Sequence, residues 1–195
     1  MPARFNKRIY TFASFRAAVR DIFDHLDDLR AAARGGRVSR AFAERIMLAV
    51  TQVNGCRYCN WGHTRAALSS GVTTEEIQSI LERDFAALDP HEVTALAFAQ
   101  HYAESGGSPD PAAWQRLVET YGTDGARDIM AYIRMITLGN LLGNTFDALL
   151  SRVVGRPAQG SSLWQELGVL LGSFVIVPAG LLRRVLAGRS PAPAV

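Results

Sequence analysis

Apolar residues in this 195-residue chain recur at spacings of three and four, and strand-like alternation is scarce. That periodicity predicts helix nearly throughout, hence an all-α bundle of six to eight helices. Phe12, Phe15, Val19, Ile22, Phe23, Leu26 and Leu29 fit one helix over 12–33, stopped by Gly35-Gly36. Ser39 is placed to cap the next helix, with Phe42, Ile46, Ala49, Val50 and Val53 on one side, and Asn54-Gly55 breaks it. A further helix starts near Cys56 and ends before Gly71. Thr73 or Thr74 caps a short one, with Glu75 and Glu76 in its favourable first turn. Asp89-Pro90 and Asp110-Pro111 open two more, with Pro in the tolerated first position. A long segment over 124–153 follows, where Gly139 and Gly143 leave room for close packing, a bend or a break. The expected division is an N-terminal helix over 1–37, a core domain over 38–155, and a C-terminal apolar extension with a disordered tail over 156–195.

Composition excludes several classes. With 48% hydrophobic and 20% charged residues the chain can build an ordinary core. Two cysteines rule out a disulfide-dense scaffold. A net charge of +3 gives no case for nucleic acid. The charge is uneven: residues 1–40 sum to +5, 41–151 to −6 and 152–195 to +4. Such basic ends suit phosphates, an anionic membrane, or the acidic middle of a neighbouring subunit. No signal peptide is visible, so the expected setting is cytoplasmic and reducing. There a close cysteine pair points to redox or metal chemistry.

Residues 167–182 carry no charge, and Arg183 and Arg184 follow. As helix this stretch spans about 24 Å, short of a bilayer's roughly 30 Å hydrocarbon core. Pro178 is expected to kink or break it. Three readings stand: packing on its own domain or a neighbour's, membrane contact through residues 167–186, or a span.

The stretch from Glu44 to His63 carries the chemistry. On a helix, Cys56, Cys59 and His63 fall within a stripe about 60° wide. At the helix start, the dipole and free N–H groups favour thiolate. His63, one turn beyond Cys59, can take its proton or stabilise the anion. The Asn54-Gly55 turn folds the preceding helix back, so Glu44 can approach, shuttle a proton or hold His63. This combination fits peroxide reduction: one thiolate becomes a sulfenic acid, the other thiol condenses with it, and a dithiol donor resets the pair. Cys59 is assigned as peroxidatic because His63 is its helical neighbour. Cys56, expected nearer solvent, is the resolving thiol that meets the reductant. The reverse assignment is nearly as well supported.

Glu44, Cys56, Cys59 and His63, with twelve residues from Glu to the first Cys and four from the second Cys to His, resemble the core of the AhpD-like, or carboxymuconolactone decarboxylase, superfamily. The resemblance covers roughly residues 38–151 and includes the Leu88-Asp89-Pro90-His91-Glu92 helix opening. It implies an AhpD-like helical bundle, a homo-oligomer (trimer or hexamer), and no metal or organic cofactor. It also implies reduction of small organic hydroperoxides with a dithiol electron donor of dihydrolipoyl or thioredoxin type. One departure stands out: Tyr58 occupies a position where the best-known peroxidase of the family has His. Tyr does not titrate near neutrality, so that role is missing or altered.

Other readings remain at this level. Both cysteines could be buried small hydrophobes. Cys56, Cys59, His63 and Glu44 form a conceivable zinc set. The family's lyase chemistry on a lactone acid needs no cysteine pair. A non-catalytic redox-sensing or membrane-associated oligomer would use the apolar C-terminal segment as its contact. Tyr58 and Trp61 read by default as core.

Overall fold

The computed structural model describes residues 5–187, and the expected disordered tail lies outside them. Eight helices make up the fold: α1 (Phe12–Asp24), α2 (Leu26–Gly35), α3 (Arg40–Asn54), α4 (Arg57–Ser69), α5 (Thr74–Glu82), α6 (Pro90–Glu104), α7 (Pro111–Val153) and α8 (Leu163–Ala187). A 3-10 turn, Phe85–Ala87, precedes α6, and no strand occurs among the described residues. The all-α bundle expected from periodicity is therefore the fold.

Helix ends follow local chemistry. Ser39 Oγ accepts the Phe42 N–H. Thr73 and Glu76 form a reciprocal capping box. Asp89 and Asp110 cap α6 and α7 ahead of their prolines. The predicted single helix over 12–33 is instead two, divided at His25 (φ −110°, ψ 20°). Apolar spacing runs unbroken across this point, so periodicity cannot see it. The turn lets α1 pack against α8 while α2 packs against α7. Near its start α7 is interrupted at Gly122 (φ 70°, ψ 168°).

Helix α3 is the axle of the bundle, packed against α4, α5, α6 and α7. It buries not one side but nearly its whole circumference, from Phe42 through Ala43, Ile46, Met47, Leu48, Ala49 and Val50. Leu96, Ala99, Leu117, Ile129 and Ile133 complete this core. On its rim Arg45 joins Glu76 of α5 at 2.7 Å and Glu92 of α6 at 3.2 Å. A second core forms where α1, α7 and α8 meet, from Tyr10, Phe15, Val19, Leu141 and Val169.

The segment before α1 is strapped along α7. Asn144 Nδ2 donates to the Arg8 carbonyl at 3.0 Å, and Tyr10 N–H donates to Thr145 Oγ1 at 3.2 Å. Lys7 pairs with Asp147 at 2.6 Å, and Arg37 with buried Asp128 at 2.7 Å. Here the basic N-terminal region meets the acidic middle of its own chain.

Helix α8 corrects the expected break at Pro178 and is longer than the uncharged stretch alone. It continues through Pro178 to Ala187, and its 25 residues span roughly 37 Å. Pro178 lies on the exposed side, where its ring need not fit against another element. The anchor of α8 is Glu166, fully buried, whose two carboxylate oxygens accept from Arg152 Nε and Nη2, both at 2.9 Å. Ser161 Oγ donates to the same carboxylate.

The Arg152 guanidinium holds the Glu166 carboxyl below the usual carboxylate range, against the opposing effect of desolvation. A depressed folded-state pKa contributes stability above the unfolded value, and that stability is lost as pH falls through the folded value. Glu166→Gln is expected to cost about 1–3 kcal/mol in urea unfolding at neutral pH. The gap to wild type should close as pH drops below about 4. A gap that persists unchanged at low pH would exclude the ion pair as its source.

Candidate functional site

The turn between α3 and α4 is made by Gly55 in the left-handed region (φ 69°), and Cys56 follows as the extended N-cap of α4. Cys56 Sγ accepts the Cys59 N–H at 3.3 Å. The capping sulfur thus sits at the positive end of the helix. Cys56 and Cys59 are joined as a disulfide with Cα atoms 5.4 Å apart, an ordinary separation for such a bridge.

One ridge of α7 receives this helix start. Asp147 pairs with Arg57 at 2.5 Å as well as with Lys7. The Phe146 ring lies 5.8 Å from that of Tyr58. Between them α7 offers no side chain: a Cβ on Gly143 would stand 2.7 Å from Cys56 Sγ and 3.8 Å from Cys59 Sγ. Gly143, expected to permit a close approach or a bend, serves the approach.

Glu44 projects from α3, buried, and its Oε2 lies 2.8 Å from His63 Nδ1. An ionised carboxylate can only accept, so Nδ1–H donates, and in the neutral ring Nε2 is then the acceptor. Glu44 and His63 thus form one pair and the two cysteines another. Cys59 and His63 are neighbours one turn apart on α4. In this disulfide form no hydrogen bond joins His63 to either sulfur among the described residues. Nor do three or more His, Cys, Asp or Glu side chains gather to hold a metal among them.

Two expectations change. Cys56 is 1% exposed, whereas Cys59 is only half-buried, so the more open sulfur belongs to Cys59. The helix end is not the solvent side here because α7 covers it. Tyr58 and Trp61 are exposed rather than core, and Arg65 stacks over Trp61 at 5.0 Å. Helix α4 lies on the bundle surface and buries only Ala67.

Behind the disulfide lies a buried polar layer that the motif did not announce. Thr51 Oγ1 donates to Asn140 Oδ1 at 3.1 Å. Asn144 Nδ2 donates to the Asn54 carbonyl at 2.8 Å, fixing the end of α3 just before the Gly55 turn. Its signal in the sequence was Gly139-Asn140 and Gly143-Asn144, two asparagines four apart in an apolar run.

Gly143→Ala separates the two redox states. With the disulfide formed, the added methyl meets Cys56 Sγ, and overpacking of this kind costs about 1–3 kcal/mol. With the thiols reduced, Cys56 can turn away and Ala gains up to about 1 kcal/mol of helix propensity. Melting temperature is therefore expected to fall for the oxidised variant and to hold or rise for the reduced one. Equal shifts in both states would show that the glycine does not serve the bridge.

No curated protein and no solved structure gives a match. A family model does, over residues 20–101, and it is that of the carboxymuconolactone decarboxylase family. The matched region runs from within α1 to within α6 and holds Glu44, Cys56, Cys59 and His63. It starts earlier than the resemblance over 38–151 and omits α7, which supplies Gly143, Phe146 and Asp147. Residues 20–101 are thus similar to the carboxymuconolactone decarboxylase family, and this part of the chain holds the closely spaced cysteine pair.

Proposed function

We propose that the chain is an AhpD-type thiol peroxidase, reducing organic hydroperoxides through a Cys56–Cys59 disulfide cycle. The observation that carries this reading is the hydrogen bond from His63 to buried Glu44, set one helical turn from the cysteine pair. It provides a proton carrier where a thiolate must form and an alkoxide must leave.

Cys59 is the peroxidatic residue in this scheme, being both the more open sulfur and the neighbour of His63. His63 Nε2 takes the Cys59 proton, and Glu44 stabilises the resulting imidazolium. The thiolate attacks the outer peroxide oxygen, the O–O bond breaks, and His63 returns the proton to the leaving alkoxide. The products are an alcohol and Cys59 sulfenic acid. Cys56 attacks that sulfur, the hydroxyl leaves as water, and the disulfide forms. A dithiol donor of dihydrolipoyl or thioredoxin type then attacks Cys59 Sγ and releases Cys56 as thiolate, and the donor's second thiol displaces Cys59, so that the donor leaves as a disulfide. The helix start stabilises the departing Cys56 thiolate, so the buried cysteine need never meet the donor itself.

The test treats fully reduced protein with one equivalent of tert-butyl hydroperoxide and quenches within seconds. Mass spectrometry of the peptide holding both cysteines is expected to show loss of two hydrogens. Cys59→Ser should show none, and Cys56→Ser should stop at a sulfenic acid that dimedone traps. Glu44→Gln should slow thiol oxidation by about 100-fold at neutral pH. Both thiols intact in the wild type would overturn the peroxidase reading and favour the family's lyase chemistry.

A further inference from the structure

Helix α8 turns three glycines toward α1 and several of its largest side chains outward, while Val169, Ile176 and Val177 join the second core. Gly168 and Gly172 face Phe12, Gly172 also meets Phe15, and Gly180 lies directly against Phe23. Trp164, Leu171, Phe174, Val175 and Leu182 are exposed, Trp164 at 81% and Phe174 at 78%. At 100° per residue these five share a sector of about 100°. Over Leu163–Leu182 mean hydropathy is 1.7, yet only 11% is buried. A helix serving only its own bundle would bury the large side chains. This arrangement spends glycines on the close contact with α1 and keeps a broad apolar face for a second apolar phase.

The charge beside that face selects the phase. Arg16 and Arg20 of α1 are exposed and line one groove with Val175, Ile176, Ala179 and Gly180 of α8. Of the two acids on α1, Asp21 pairs with Arg134 at 3.0 Å, and exposed Asp24 lies one turn beyond Arg20 at the helix end. Arg183 and Arg184 directly follow the apolar stretch. Apolar face and basic rim together match acyl chains beneath anionic headgroups. A second copy seated on the same face by a two-fold axis would bring like-charged rims together.

We propose that α8 is an in-plane anchor for an anionic bilayer. Its outer face sinks among the acyl chains, while Arg16 and Arg20 sit at the headgroups. It lies flat rather than spanning, because α1 and α7 occupy its inner side and Glu166 ties it to Arg152. This inference is independent of the redox chemistry.

The test is co-sedimentation of the full chain with vesicles of phosphatidylcholine, alone or mixed with phosphatidylglycerol. Binding is expected to the mixed vesicles, weakening as salt rises. Arg16→Gln with Arg20→Gln should weaken it roughly 30-fold at low salt. Leu171→Glu with Phe174→Glu should abolish it. All substituted positions are exposed, so circular dichroism should match wild type and separate lost binding from lost folding. Binding to neither vesicle would overturn the proposal. So would a discrete dimer that Leu171→Glu with Phe174→Glu dissociates in light scattering, which would make this face a contact between copies. Binding indifferent to phosphatidylglycerol and to the arginine changes would overturn the anionic preference.

Discussion

Because α3 is enclosed by α4, α5, α6 and α7, it has almost no solvent face, and the polar groups it carries look for partners inside the protein. Those polar groups lie around the candidate site. Glu44 meets His63, Thr51 meets Asn140, and the Asn54 carbonyl receives Asn144. The enclosure of one helix thus fixes a carboxylate, a helix end and the turn that launches α4. Positioning by burial costs free energy, and the apolar remainder of α3 offsets it.

The cysteine pair depends on a second constraint, the absence of a side chain at Gly143. Two sulfurs at a helix start need space on the side where another helix must pack. Flanking contacts from Phe146 and Asp147 hold α4 against α7, and the glycine leaves the bridge its room. The matched family region stops before α7. So the family comparison captures the helices that carry Glu44, both cysteines and His63, and the supporting ridge belongs to the rest of the chain.

The candidate site residues on α4 were legible because their relation is local. A Cys-x-x-Cys followed four residues later by His shares a stripe by helical geometry alone. The capping signals at Ser39, Thr73, Asp89 and Asp110 were readable for the same reason: each bonds to backbone within three residues. The break at His25 was not readable, because apolar spacing is continuous across it. Nor was the burial of Cys56, which comes from α7, more than eighty residues away in sequence.

The sequence alone determined the helical class, most helix ends and the placing of two cysteines and a histidine on one helical stripe, since these follow from spacing within one or two turns. The tertiary structure decided which sulfur is open, how Glu44 reaches His63, why position 143 must be small and which side of α8 faces out. Those properties belong to packing between distant segments, and periodicity within one helix shows an apolar face without showing what covers it.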